Sequence, residues 1–210
     1  MIAVEEESFM ATKGKIRFAT KEDAAAVLHI YEGYITNTAV TFETEVPTLE
    51  AFEERMEHIM AGFPWLVCEI NDRIAGYAYA SKHGERAAYR WSADLSVYID
   101  EKYHRCGIAT ALYTALLELL RQQGYYTVYA GVSTPNPKSE AFHEAYGFRN
   151  LGEFQNAGYK FGAWRGVTWF ELPLAEYGTE PEEPVTMDAL QRRDNCLKVF
   201  SEAEKRICEK

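Results

Sequence analysis

The sequence predicts an α/β fold built on a mixed central sheet. Three observations point there. Stretches of helical and strand spacing interleave in the order β-α-α-β-β-β-α-β-α-β-β. Asn71-Asp72 separates two strand-like runs with a hairpin turn signal. A long apolar helix begins after His104-Arg105-Cys106-Gly107 and is closed by Gly124. With 47% hydrophobic residues among 210, the chain can bury one good core.

Residues 1–13 read as a loose acidic lead-in, and the folded domain spans 14–174. "KIRFAT" is a short strand, and Thr20 with Asp23 forms a capping box for a helix carrying Ala24, Val27, Leu28, Tyr31 and Ile35. "TAVTFETEVPTLE" is a loop, after which Thr48 starts a second helix through Phe52, Met56 and Ile59, ending near Gly62. "WLVCEI" and "RIAGYAYASK" form the hairpin. In "AAYRWSADLSVYID", alternation puts Trp91, Ala93, Leu95, Val97 and Ile99 on one face, and Arg90, Ser92, Asp94, Ser96 and Tyr98 on the other. Ile108, Leu112, Ala115, Leu116 and Leu119 form the core stripe of the long helix. "YYTVYAGV" is a further strand. Asn136, with Pro137 at the first helical position, caps a short helix that ends before Gly147. Two strands rich in glycine and aromatics complete the domain. Residues 175–185 are an acidic, proline-bearing linker, and 186–210 form a helical tail that can dock Leu190, Leu197, Phe200 and Ile207.

The net charge of -10 argues against a nucleic-acid binder, which needs a basic face. No stretch approaches the ~20 apolar residues of a membrane span, and no signal peptide is visible. Cys68, Cys106, Cys196 and Cys208 show no CxxC spacing, so no metal site is expected. Free thiols in a reducing cytoplasm are the default reading.

"HRCGIAT" puts a glycine at the mouth of the long helix, where a tight strand-to-helix turn and an anion cradle both explain it. A helix start offers unpaired N–H groups and a partial positive charge, and glycine lets an anion approach them. GxxxxGK[ST] and GxGxxG are both absent, so a pyrophosphate held by backbone amides fits better than a nucleoside triphosphate.

These residues carry a resemblance. His104-Arg105-Cys106-Gly107-Ile108-Ala109 is similar to the [QR]-x-x-G-x-[GA] acetyl-CoA signature of the GNAT acetyltransferases, with His104 departing at the first position. "TAVTFETEVPT", "GYAYAS", "RAAYRW", "SVYID", "STPNPKSEAFHEAYGF" and "NAGYKFGAW", in this order, resemble the phosphinothricin and methionine sulfoximine N-acetyltransferase branch over roughly Ile16 to Leu174. The resemblance implies the GNAT fold, in which central strands splay so that pantetheine slots between them. Val97, Tyr98 and Ile99 would bond the pantetheine through their backbone. Amides of Arg105, Cys106, Gly107, Ile108, Ala109 and Thr110 would hold the diphosphate of acetyl-CoA, with Asn136 and Ser139 also meeting the cofactor.

Asp94, usually Glu in that branch, is implied as the general base, working through water because aspartate is a methylene shorter; a solvated strand residue or a local ion pair is its structural alternative. His143, one turn after Ser139, is implied as the general acid. Phe42, Arg86, Tyr89 and Tyr159 would line the acceptor pocket, with Arg86 pairing to a carboxylate or phosphinate; Trp164 could join that wall. His29, His58 and His83 receive no role, and Cys106 is read as structural.

The expected activity is transfer of acetyl from acetyl-CoA to the amine of a small amino acid or analogue, in a ternary complex. An α-amino group with a pKa near ~8 is roughly a tenth neutral at pH 7, whereas a lysine amine near ~10.4 would cost about 4 to 5 kcal/mol to deprotonate. Polyamine or aminoglycoside acetylation, and a non-catalytic acyl-CoA-binding module, are the alternatives. A homodimer is common in the resembling branch.

Overall fold

The computed structural model describes residues 14–178 and 180–208; the lead-in expected at 1–13 lies outside them. The strands are β1 (Lys15–Phe18), β2 (Trp65–Ile70), β3 (Arg73–Lys82), β4 (Ser92–Ile99), β5 (Thr127–Thr134), β6 (Arg149–Lys160) and β7 (Ala163–Pro173). The helices are α1 (Ala24–Asn37), α2 (Leu49–Met60), α3 (Ile108–Gln123), α4 (Pro137–Ala145), α5 (Met187–Gln191) and α6 (Cys196–Glu204). The strands form one sheet in the order β1-β2-β3-β4-β5-β7-β6, antiparallel throughout except where β4 meets β5.

Local chemistry sets these boundaries. Asn71 and Asp72 both adopt positive φ, 52° and 57°, as a tight hairpin turn between β2 and β3 requires. Thr48 caps α2 by accepting from the Ala51 N–H, and Asn136 caps α4 by accepting from the Ser139 N–H. Asp23 accepts from the Thr20 N–H at 2.8 Å, but a single 3-10 turn intervenes before α1.

The sheet is covered on both faces. Val27, Ile30, Tyr31 and Ile35 of α1 pack with Phe52 and Met56 of α2 onto Trp65, Val67 and Tyr77. On the other face, Ile108, Leu112, Ala115, Leu116 and Leu119 of α3 pack onto Ala78, Ala80, Ala93 and Leu95. The alternation expected for β4 is therefore present. Its even-numbered residues do not face water, however, because Tyr98 is enclosed by the rings of Tyr31, Tyr34 and Tyr77.

The tail differs from its expectation. It forms two short helices rather than one, broken over 192–195 between α5 and α6. Leu190 and Phe200 are buried as expected, but Leu197 is 77% exposed, and Cys196, Val199 and Ala203 are buried on the face that Leu197 leaves. The tail lies against α3 and the sheet edge, where the Ile16 N–H donates to Glu204 Oε1 at 2.7 Å.

Candidate active site

The parallel pairing of β4 with β5 lasts only three rungs, Ser92 with Thr127, Ala93 with Val128 and Asp94 with Tyr129. Beyond them both strands continue, to Ile99 and Thr134, without pairing to each other. A fork opens there, and Asp94 stands at its base. The Asp100 N–H donates to Ala75 O at 2.9 Å, which fixes the phase of the ladder between β3 and β4. In that phase Tyr98 directs its backbone to Tyr77, while Val97 and Ile99 direct theirs into the fork. Of the three residues expected to bond a pantetheine chain, Val97 therefore offers open backbone groups and Tyr98 offers a side chain only. The Ile99 carbonyl already accepts from the Tyr34 hydroxyl at 2.8 Å and lies 3.1 Å from His104 Nε2. His104 thus ties the end of β4 to α1.

The loop after β4 leads into α3 through two residues of positive φ, Arg105 at 65° and Gly107 at 75°. The first α-helical bond runs from the Ala111 N–H to Gly107 O at 2.9 Å. The amides of Ile108, Ala109 and Thr110 therefore have no acceptor within the helix and point out of its N-terminal end. Those amides and the open Val97 backbone fit a ligand with a diphosphate at one end and an amide-bearing arm in the fork. Cys106 is buried, and its carbonyl accepts from the Cys208 N–H at 2.9 Å, so the tail reaches this loop. Asn136 and Ser139 stand together at the start of α4, both half-buried.

Asp94 is not alone. His83, just past the end of β3, places Nδ1 2.6 Å from Asp94 Oδ1. Its ring stacks on Tyr129 at 4.1 Å and meets Tyr89 edge-on at 5.6 Å. Burial raises the Asp94 carboxyl above its ordinary pKa, and the His83 bond opposes the rise. Sequence reasoning missed His83 because the partnership depends on strand register: Ser81 lies opposite Asp94, so His83 follows on the same face.

His143 is set apart from Asp94. It lies on the α3 side of the sheet, opposite to Asp94, and is only 3% exposed. Its Nδ1 lies 2.7 Å from Ser139 O and its Nε2 3.1 Å from the Tyr113 hydroxyl, with Phe170 stacked on the ring. Both ring nitrogens are engaged within the protein. Burial lowers its pKa below the usual 6.5, favouring the neutral ring.

Phe42, in the loop between α1 and α2, packs on β6 where Gly158 leaves room; a Cβ there would come within 2.6 Å of its ring. Lys160 Nζ donates to Thr41 O at 2.9 Å and ties the same loop down. Tyr159 lies between these two contacts and therefore turns to the opposite face, 59% exposed and paired edge-on with Trp164. It does not join Phe42 in one wall. Arg86 is exposed beside Tyr89, before the short turn 87–89, and forms no ion pair with any described residue. A cavity of about 830 Å³ opens on the α1 side of the β4 end, lined by Tyr34, Thr38, Ile99, Asp100 and His104 among others; neither Asp94 nor His143 lines it.

The sequence matches the family described as acetyltransferase (GNAT) domain over residues 16–169. The chain belongs to the GNAT acetyltransferases. Phosphinothricin N-acetyltransferase of Streptomyces viridochromogenes is 38% identical over 176 residues, covering 82% of this chain and 94% of that protein. L-methionine sulfoximine/L-methionine sulfone acetyltransferase of Salmonella typhimurium is 31% identical, covering 77% and 95%. A phosphinothricin acetyltransferase of Sinorhizobium meliloti, solved in complex with acetyl-CoA, is 30% identical with a TM-score of 0.79, covering 86% of this chain and 100% of that one. This GNAT protein is an acetyl-CoA-dependent N-acetyltransferase. The fork and the amide-lined mouth of α3 are the parts of its fold that suit such a co-substrate.

Proposed function

We propose that the protein acetylates the free amino group of a small amino acid or analogue of the phosphinothricin or methionine sulfoximine kind, by direct attack in a ternary complex. The observation that carries this reading is the fork between β4 and β5, which opens beside Asp94 and runs toward the amides at the mouth of α3. Arg105, Cys106, Gly107, Ile108, Ala109 and Thr110 hold the diphosphate, Val97 and Ile99 line the arm, and Asn136 and Ser139 flank it from α4. The thioester then lies near the last paired rung.

The acceptor side is the face covered by α1 and α2. Phe42 and Tyr89 wall it, and the exposed Arg86 guanidinium, which pairs with no described residue, suits the carboxylate or phosphinate of such an acceptor. Asp94 supplies the negative charge that draws the proton off the amine. His143 keeps Tyr113 and the start of α4 in place, and the departing thiolate takes the second proton of the amine.

The four cysteines, all free thiols, suit a reducing cytoplasm. A homodimer accords with β6, an edge strand that exposes Phe154, Tyr159 and, across the hairpin, Trp164; sedimentation of the purified protein tests it. The activity assay offers phosphinothricin, methionine sulfoximine, natural amino acids, spermidine and lysine peptides with acetyl-CoA. Turnover confined to the amino acids and their analogues supports the reading, and turnover only on spermidine or lysine peptides overturns it.

A further inference from the structure

His83 is a titratable side chain at the fork that the reaction above does not use. Its Nδ1 lies 2.6 Å from Asp94 Oδ1, the two side chains being 23% and 30% exposed. Asp94 lies on the last rung before β4 and β5 part, and Tyr129, its partner on that rung, carries the stacked imidazole. Trp169 of β7 meets the ring edge-on at 6.3 Å, and Tyr89 does so at 5.6 Å. The ring is therefore clamped in position, and its Nε2 bonds no described residue.

We propose that His83 Nε2 is the atom that takes the proton from the acceptor ammonium, with Asp94 as its positioning partner. This deepens the amine-transfer reading and rests on it. An aspartate at the base of the fork is short for a base, and an imidazole held on its carboxylate carries the accepting lone pair further out. The carboxylate fixes the tautomer, with the proton on Nδ1 and the lone pair on Nε2, and stabilises the imidazolium that forms.

The protons balance. R–NH3+ gives one proton to Nε2, and the neutral amine attacks the thioester carbon. A C–N bond forms, the C–S bond breaks, and the thiolate takes the second nitrogen proton. The products are the acetamide and free thiol, and the imidazolium returns its proton to solvent. The titratable groups facing the ring are Asp94 from β4, Tyr129 from β5 and Tyr89 from the turn 87–89. Glu171 of β7 lies behind Tyr129, and the neighbouring Lys82 pairs with Glu85 at 2.7 Å.

The test is His83→Asn, whose amide keeps a donor for Asp94 while the accepting nitrogen is lost. Steady-state kinetics across pH 5 to 9, with the acceptor that wild-type protein turns over, give kcat/KM; calorimetry gives acetyl-CoA affinity. The expected result is a loss of about 10²-fold or more in kcat/KM, displacement of its acidic limb upward to the ionisation of the acceptor amine itself, and unchanged acetyl-CoA binding. Asp94→Asn should lose activity similarly while binding acetyl-CoA normally. Wild-type rate and an unchanged acidic limb in His83→Asn would overturn this proposal alone. No turnover by wild-type protein on any amine would overturn the transfer reading and this proposal with it. Acetyl-CoA binding by His83→Asn reports that the variant is folded.

Discussion

Gly107 and Arg206 are in direct contact: a Cβ built on Gly107 would collide with the Arg206 carbonyl oxygen. The chain thus returns, almost a hundred residues later, to the loop that starts α3. Gly107 also holds φ at 75°, a conformation in which other residues are strained. Gly107→Ala therefore faces a backbone penalty of about 1 kcal/mol and a clash with main chain that cannot rotate away. The expected outcome is a lower Tm and at least a tenfold weaker acetyl-CoA Kd, read by thermal unfolding and calorimetry.

His143 makes stability depend on pH in a definite direction. Burial lowers its folded-state pKa below the ordinary 6.5, so the unfolded chain binds the proton more readily. The resulting stability is full above pH 6.5 and is lost as pH falls through the folded-state value. His143→Gln removes this dependence. Urea unfolding at pH 7.5 and 5.0 should show a smaller acid-induced loss in the variant than in the wild type, with the difference confined to the acidic side.

Lys160 and Gly158 hold the loop that carries Phe42. Lys160→Met removes the charged hydrogen bond to Thr41 O, worth about 1.5–3 kcal/mol, and Gly158→Val drives side-chain atoms into the Phe42 ring. Both should raise the KM for the amine several-fold and leave the acetyl-CoA Kd within about twofold, a split that steady-state kinetics and calorimetry resolve together.

Arg86 should discriminate among acceptors. Arg86→Ala removes an exposed guanidinium that forms no ion pair with any described residue, so its loss costs the fold little. The KM for phosphinothricin should rise by about tenfold or more relative to that for methionine amide, which has no anionic group. Equal effects on both would remove Arg86 from the acceptor wall.

Much of this architecture was legible in the chain. The α3 stripe, the Asn71-Asp72 turn and the caps at Thr48 and Asn136 are local signals, and each appears where its chemistry places it. What was hidden is long-range. His83 meets Asp94 only because of the register between β3 and β4, which no single stretch encodes. His143 shares a helix face with Ser139, as its spacing says, but that face turns into the core against Phe170. Tyr159 takes the face opposite to Phe42 because Gly158 and Lys160 on either side hold the loop. The tail helix broke over 192–195, and with the new phase Leu197 turned outward.

With only three rungs joining β4 to β5, the sheet is two plates, one of four strands and one of three, stitched along a short seam. A ligand arm bonded to Val97 would serve as the missing stitches. Amide exchange at Val97 should then slow sharply when acetyl-CoA is added, while the β2–β3 hairpin keeps its rate. The co-substrate would be, in mechanical terms, a temporary eighth strand that stiffens the molecule along its one weak line.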